Sequence, residues 1–223
     1  MPSIVTIDGP AGVGKTTLAR LLAERLGFAY LDTGAMFRTL ARTLGQDIDK
    51  LSSDELKSRA LSCSFSLKGI GEKTTLFCNG KAIGAEIRTE EVARLASHIA
   101  KNPVIRDVLA QSQRKLGETV SLVAEGRDMG TVIFPNARFK FFLDADAEIR
   151  ARRRLNDSAN LNTATDLATL TAQIRERDTN DRNRPIAPLK AAEDATLVDT
   201  SHLSIEEVLD RLLQSISSRY DKS

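Results

Sequence analysis

Short apolar runs alternate along the chain with longer segments in which apolar residues recur every three or four positions. Residues 4–7, IVTI, form a β-branched run typical of a strand. A glycine-rich stretch follows. Residues 18–26 then carry leucines at helical spacing, and Gly27 is a typical helix stop. The pattern predicts a strand, a loop and a helix in that order.

Three further runs predict strands of the same sheet. Tyr30 and Leu31 form a short second strand, and residues 120–124 and 139–143 are almost entirely apolar. Continuous apolar runs are typical of parallel strands buried on both faces. A helical pattern also begins near residue 167, continues to residue 184 and ends before a proline. Together these elements predict an α/β fold, with a parallel sheet flanked by helices.

One region has the alternating pattern of antiparallel strands instead. Residues 63–67 and part of 75–83 alternate apolar and polar side chains. The turn-rich residues 68–73 separate them, and Asn79-Gly80 is a strong signal for a tight turn. This region predicts a small antiparallel sheet inserted into the α/β chain.

Composition limits the possible functions. The 223 residues suffice for one substantial core, with or without small attached modules. A formal net charge of +2 argues against nucleic acid as the main partner, because proteins that bind the phosphate backbone carry a basic excess. No apolar run is long enough to cross a bilayer, and the start lacks the features of a signal peptide. We therefore expect a cytoplasmic protein with no membrane partner.

The two cysteines, Cys63 and Cys78, argue against a disulfide framework. We expect them to be small buried apolar residues in a reducing compartment, and both could lie near each other on the antiparallel sheet. Two histidines leave little material for a metal cluster.

The loop after the first strand has the sequence GPAGVGKT, which matches the phosphate-loop pattern G-x-x-x-x-G-K-[ST]. Its glycines let backbone N–H groups point inward around a phosphate, and the following helix adds its positive dipole end. Lys15 would neutralise the β- and γ-phosphates, and the Thr16 hydroxyl would hold Mg²⁺. We therefore predict that the chain binds a nucleoside triphosphate. The expected contacts are Gly9, Pro10, Ala11, Gly12, Val13, Gly14, Lys15, Thr16 and Thr17.

Charged residues gather where predicted parallel strands end, which is the edge at which such sheets bind ligands. Residues 32–34, DTG, leave the second strand, and Arg38 lies early on the next helix. Residues 125–128, EGRD, leave the strand at 120–124. The alternative interpretations are a helix N-cap with a surface arginine and a simple polar turn.

The segment RERDTNDRNR, which ends at Arg184, concentrates charges of both signs. Helical spacing places Arg177, Asp181 and Arg184 on one face, which could bind a phosphorylated ligand that carries hydroxyl groups. Asp178 and Arg182 are four residues apart and are expected to form an ordinary helix-stabilising pair. The alternative is a solvated helix face with ion pairs throughout.

A second arginine cluster follows the strand at 139–143. Arg150 and residues 152–154 lie on a predicted helix, and the polar segment NDSANLNTATD comes after it. We interpret this region as a mobile lid with arginines at its base. The alternative is a basic helix terminus followed by a loop.

The chain resembles bacterial cytidylate kinases over nearly its whole length. The phosphate loop, LDTGAMFR, EIRTEEVARLAS, EGRDMGTVIFP, FFLDADAEIRARRR and RERDTNDRNRP occur in the order and spacing of that family. Three positions depart from the usual pattern: Glu125 replaces an aspartate, Phe37 a tyrosine, and Thr16 a glycine or serine. The first keeps the charge, the second removes a hydroxyl group, and the third restores the general phosphate-loop pattern.

The resemblance implies a single kinase chain that uses ATP and Mg²⁺ to phosphorylate CMP and dCMP. It also implies a monomer with a core at about 1–34, 100–150 and 166–223, a mobile substrate-binding module at 35–99 that closes around CMP, and a lid at 151–165. Implied roles are Lys15, Arg127 and Arg184 in catalysis, Arg153 and Arg154 with ATP, and Thr33, Arg38, Ser97, Arg106, Arg127, Asp128, Arg177, Asp181 and Arg184 with CMP.

Three alternatives stay open. The nearest is another small phosphate-loop kinase, acting on uridylate, adenylate or a non-nucleotide acceptor. A GTPase switch usually carries an N-K-x-D motif, which does not occur in this sequence. A nucleic-acid-stimulated ATPase fits poorly with the charge balance and with the absence of an aromatic and basic patch.

Overall fold

A computed structural model describes residues 2–158 and 166–220. It has the predicted α/β architecture with a small antiparallel insert. The strands are β1 (Ile4–Asp8), β2 (Ala29–Asp32), β3 (Phe65–Lys68), β4 (Thr75–Cys78), β5 (Lys81–Ala82), β6 (Leu122–Gly126), β7 (Phe139–Asp144) and β8 (Thr196–Asp199). The α-helices are α1 (Lys15–Leu26), α2 (Thr33–Leu44), α3 (Ser53–Leu61), α4 (Glu90–Ile99), α5 (Pro103–Thr119), α6 (Ala147–Ser158), α7 (Leu167–Asn183) and α8 (Ile205–Tyr220).

The main sheet is parallel and has the order β2-β6-β1-β7-β8. Strand β1 therefore lies at its centre, with β6 on one side and β7 on the other. The register aligns Ile7 with Glu125 and Asp8 with Gly126. The phosphate loop and the EGRD segment thus leave neighbouring strands at the same edge of the sheet.

Helices cover both faces of this sheet. Successive side chains of each strand point to opposite faces, and both sets are apolar and need to be buried. Leu122 and Ala124 pack into a core formed with helices α2, α3, α4 and α5. Val123 points the other way, into a core formed with α1 and α8. The predicted sheet with helices on its faces is confirmed.

The strand predicted at 120–124 begins two residues later than expected. Helix α5 continues to Thr119, and the N–H of Val120 still bonds to the carbonyl of Leu116, so this residue ends the helix. Val120 is 39% exposed, whereas Leu122 is completely buried. A run of apolar letters could not show where the helix stopped and the strand began.

The antiparallel insert is confirmed, in the order β3-β4-β5. Its first strand begins at Phe65 and not at Cys63, and Asn79 at the predicted tight turn has a positive φ of 51°. The loop after β3 reaches the main sheet, where Gly71 N–H donates to the Phe28 carbonyl at 2.8 Å. At the free edge of β2 itself, the Tyr30 N–H donates to the Thr74 hydroxyl at 3.1 Å, so this segment lies along that edge. Mobility of the insert stays a prediction.

Both cysteines are free. Cys63 is buried and Cys78 packs partly buried against the same apolar core, and burial raises the pKa of the Cys78 thiol to about 11. Among the described residues, no helix is long and apolar enough to cross a membrane.

Candidate active site

The phosphate loop connects β1 to α1 through glycines that no other residue could replace without strain. A Cβ atom on Gly9, whose φ is 149°, would lie 2.1 Å from the carbonyl oxygen of Leu143. Gly14 caps α1 with a φ of 87°. These conformations let the loop fold tightly against β7 and place the N-terminus of α1 beside it.

Lys15 is buried at the start of α1, and its Nζ donates to the Pro10 carbonyl at 2.6 Å. Burial, and next the charge of Arg127, lower the pKa of Lys15 to about 7. A phosphate anion beside this amine would favour its charged form. Binding of a phosphate would therefore increase the fraction of Lys15 that is protonated.

Glu125 lies beside Thr16 in the wall of the site. The Thr16 hydroxyl donates to Glu125 Oε1 at 2.8 Å, and the Tyr30 hydroxyl donates to the same oxygen. Burial raises the pKa of Glu125, with a further contribution from the nearby Asp32. Two hydroxyl groups thus fix the Glu125 carboxylate in position.

Asp8 connects the phosphate-loop strand to the segment that follows Asp128. Its two oxygens accept the N–H groups of Met129 at 2.9 Å and Gly130 at 2.8 Å. Burial outweighs these hydrogen bonds and raises the pKa of Asp8 to about 6. The carboxylate holds the backbone next to Arg127 and Asp128 at a fixed position relative to the phosphate loop.

A buried ion cluster joins three of the residues that were predicted to bind CMP. Asp128 Oδ2 accepts from Arg106, and Asp128 Oδ1 accepts from Arg184 at 3.2 Å. The three side chains are each at least 92% buried. Burial lowers the pKa of Arg184, and the negative charge of Asp128 partly opposes this shift.

The prediction that Arg184 lies on the face of helix α7 is wrong. Arg184 follows the last residue of α7 and has an extended conformation.

Three other predicted arginines, Arg38, Arg127 and Arg177, lie near this ion cluster and line the same cavity. Arg127 pairs with Asp181 at 2.9 Å and Arg38 with Asp32 at 3.0 Å. Nε of Arg177 is buried with no hydrogen-bond partner in the described part of the chain. Burial, and next the charge of Arg127, lower the pKa of Arg177. Three partly buried arginines with only two carboxylate partners leave an excess of positive charge, which is suited to an anion.

One cavity of about 300 Å³ collects most of these groups. It brings the phosphate loop, the end of β6, α4 and α7 together. The predicted residues that line it are Ala11, Gly12, Lys15, Thr16, Thr33, Arg38, Ser97, Arg106, Arg127, Asp128, Arg177, Asp181 and Arg184. Gly9, Pro10, Val13, Gly14 and Thr17 belong to the phosphate loop or its helix but do not line the cavity.

The two predicted lid arginines lie outside this cavity. Arg153 donates to the Thr200 hydroxyl at 3.2 Å and to the Thr200 carbonyl at 2.5 Å. Arg154 pairs with Glu90 at the start of α4 at 2.9 Å. Residues 159–165 of the predicted lid are outside the described residues.

The predicted pair between Asp178 and Arg182 is wrong. Asp178 faces inward and pairs with Arg150 at 2.5 Å, while Arg182 turns outward to Asp144 at 2.9 Å. Spacing of four residues allows a pair, but the buried cation from another helix competes better for the carboxylate. The charged segment RERDTNDRNR is therefore solvated on only part of its surface.

Sequence reasoning missed several residues of the site. Asp8 and Tyr30 carried no predicted role. Arg150 was predicted only as one of the arginines at the base of the lid, and Glu125 only as part of the charged EGRD segment and as a departure from the family pattern. Glu125 had a detectable signal, since an acid ending an apolar strand beside a phosphate loop is a typical metal-site residue. The role of Tyr30 depends on the pairing of β2 with β6, which no local pattern shows.

These features define the class of protein. A phosphate loop with its buried lysine shares one cavity with arginines and carboxylates suited to a second anionic substrate. This arrangement is that of a phosphate-loop kinase, which brings a phosphate donor and an acceptor together.

Comparisons with known proteins agree. The cytidylate kinase family model matches residues 5–218. A cytidylate kinase of Nitratidesulfovibrio vulgaris is 55% identical over 216 residues, covering 97% of this chain and 93% of that protein. One from Oleidesulfovibrio alaskensis is 54% identical over 213 residues, covering 96% and 97%. The chain belongs to the cytidylate kinase family, and it is an ATP-dependent nucleoside monophosphate kinase.

Two more distant similarities differ in what they show. A cytidylate kinase of Vibrio parahaemolyticus is 43% identical over 217 residues, covering 97% of this chain and 96% of that protein. A crystal structure of an uncharacterized protein from Eubacterium ventriosum has a TM-score of 0.53 at 15% identity, and covers 98% of this chain and 99% of its own. The latter similarity shows the fold alone.

Proposed function

We propose that the protein transfers the γ-phosphoryl group of ATP to CMP and dCMP, giving CDP and dCDP. The single observation that carries this proposal is the shared cavity. Lys15 of the phosphate loop and the buried cluster of Asp128, Arg106 and Arg184 line the same 300 Å³ space. A donor phosphate and an acceptor nucleotide can therefore meet within it.

ATP occupies the phosphate loop in this proposal. The inward N–H groups of the loop and the N-terminus of α1 bind its phosphates, and Lys15 neutralises the β- and γ-phosphates. Arg153 and Arg154 join ATP when the lid closes, which requires each to leave its present partner, Thr200 and Glu90 respectively. Water is then excluded from the transferring group.

CMP occupies the remainder of the cavity. Arg38 and Arg127 bind its phosphate, and Arg177 and Asp181 bind the ribose hydroxyls. Arginine suits the phosphate because its planar fork donates two hydrogen bonds and keeps its charge. The Thr33 hydroxyl donates to the Glu125 carbonyl at 2.7 Å, which fixes the turn before Arg38.

Cytosine is recognised by Ser97, Arg106 and Asp128. The carboxylate of Asp128 accepts from the N4 amino group, and Arg106 donates to N3 or O2. Each carboxylate oxygen has two lone pairs, so Asp128 can hold both arginines and still accept from the base. Uracil would place an oxygen at the position of N4, facing this carboxylate, and would therefore bind less well.

Catalysis is mainly the positioning and neutralisation of charge. Two anionic phosphates repel each other, and the transferring group carries spread negative charge. Lys15 and Arg184 from buried positions, and Arg127 from a partly buried one, supply positive charge around it where charges interact more strongly than in water.

Magnesium fits the oxygen atoms beside the loop. Mg²⁺ prefers oxygen ligands and is usually held by one or two protein groups together with substrate phosphates. The Thr16 hydroxyl and the Glu125 carboxylate are adjacent and would hold it. The described residues contain no cluster of three or more acidic, histidine or cysteine side chains that could hold a metal without substrate. Bound with ATP, the metal would neutralise phosphate charge.

A coupled assay of ADP release tests the proposal. The purified protein is given ATP, Mg²⁺ and, separately, CMP, dCMP, UMP or AMP. We expect turnover with CMP and dCMP to exceed turnover with UMP and AMP. A higher kcat/KM with UMP or AMP than with CMP would refute the assignment of the acceptor.

A further inference from the structure

Arg150 is a buried arginine that the reaction described above does not use. It lies on α6 and is only 3% exposed, although it carries a charge. Its Nε donates to the Ala145 carbonyl at 2.9 Å, its Nη1 to the Ala11 carbonyl at 3.1 Å, and its Nη2 to Asp178 at 2.5 Å. One guanidinium group thus connects α6, α7 and the phosphate loop.

The contact with Ala11 fixes the direction of a phosphate-loop amide. The peptide bond between Ala11 and Gly12 is planar, and no cis peptide occurs in the described chain. Its carbonyl oxygen and the Gly12 N–H therefore point in opposite directions. Because Arg150 holds the carbonyl on the outer side of the loop, the Gly12 N–H is directed to the inner side, where phosphate would bind.

A second contact of the same kind is weaker. The Thr200 hydroxyl lies 3.5 Å from the Val13 carbonyl and receives a hydrogen bond from Arg153. A separation of 3.5 Å is at the outer limit of a hydrogen bond, whereas Arg150 reaches Ala11 at 3.1 Å with a charged donor. Arg150 is therefore the main restraint on the loop from this side.

We propose that Arg150 is a positioning residue that preorganises the phosphate loop for ATP, with Asp178 holding its guanidinium in place. This inference rests on the proposed binding of ATP at the loop. Arg150 is not among the residues that line the 300 Å³ cavity, so it acts through the Ala11–Gly12 peptide. The acceptor residues on β6 and α7 form no described hydrogen bond with Arg150, which reaches their helix only through Asp178.

The test compares binding of ATP and of CMP, each measured alone by calorimetry. Arg150→Met is expected to weaken ATP binding by about tenfold to a hundredfold, the factor given by loss of one hydrogen bond to a charged group. CMP binding should fall much less than ATP binding, because Arg150 reaches the acceptor helix only through Asp178. In the double variant described below, which removes the Asp178 charge as well, CMP binding should change by less than about threefold. Arg182→Met is the matched control, since Arg182 also pairs with a carboxylate of another element, Asp144 at 2.9 Å, but is 44% exposed and does not line the cavity.

A second readout reports the loop itself. Amide hydrogen exchange at Gly12 in the nucleotide-free protein should be faster in Arg150→Met than in the wild type or in the control. A residue that only stabilised the fold would accelerate exchange throughout the core and weaken both ligands together. Equal losses of ATP and CMP affinity, or unchanged ATP affinity, would overturn the proposal.

Removing one partner of a buried ion pair can unfold a protein, so a double variant is included. Arg150→Met with Asp178→Leu replaces both charges by apolar groups, and it should show the same selective loss of ATP binding. If neither variant folds, Arg150 is a residue of the fold and the positioning role is refuted. The wild-type assay with four acceptors is independent of these variants, so failure of the proposed function would be recognised separately.

Discussion

Asp128→Asn tests most directly how the site reads the base. In the structure the carboxylate accepts from Arg106 on one oxygen and from Arg184 on the other. The amide keeps one acceptor oxygen and presents an NH₂ group to the other arginine. One charge-assisted hydrogen bond is lost, and two donors then face each other in a buried cluster.

The structure sets two magnitudes for this change. Loss of one buried hydrogen bond to a charged group costs about 1.5–3 kcal/mol of stability. The two buried arginines also lose their negatively charged partner, which adds to this cost. Discrimination between CMP and UMP should fall by about 1–3 kcal/mol, because the amide can donate to uracil O4 where the carboxylate repels it.

The assay is kcat/KM for CMP and UMP in the wild type and the variant, at a temperature where both are folded. Asp107→Asn is the matched control, since Asp107 is the exposed neighbour of Arg106 and bonds only to Gln111 among described groups. The CMP-to-UMP ratio should narrow in the first variant only. Equal losses on both nucleotides would show that Asp128 supports the arginines and does not read the base.

Further predictions concern the donor side and the lid. Lys15→Ala should lower kcat by at least about a hundredfold with the fold intact, as one good electrostatic contact is worth 10²–10³ in rate, and activity within about tenfold of wild type would contradict that role. Because the pKa of Lys15 is about 7 in the free protein, the amine is mostly neutral at pH 8, and binding of ATP there should take up a proton. Calorimetry in buffers of different ionisation enthalpy measures this uptake, and a heat independent of the buffer would refute it. Proteolysis between residues 156 and 165, most of which are outside the described residues, should be slowed by ATP with CMP, and equal cleavage with and without nucleotides would count against a closing lid.

The local signals in the sequence predicted most of the architecture. The apolar runs correctly predicted a parallel sheet, and Asn79-Gly80 correctly predicted a turn of the insert, because backbone preference and side-chain periodicity are local properties. The ends of the helices and strands were predicted less accurately. At residue 120 a helix end and a strand start share apolar residues, and only the N–H of Val120 bonding to Leu116 shows which element it belongs to.

The phosphate loop could be recognised from eight consecutive residues, because all of its chemical groups lie within them, and the family could be recognised from the order of the motifs. The partners of the charged residues, in contrast, depend on how the elements pack. Asp178 pairs with Arg150 from another helix and not with its neighbour Arg182, and Glu125 accepts from Tyr30 across paired strands. Spacing shows which residues share a helix face, but the burial and approach of other elements decide which charge each carboxylate meets.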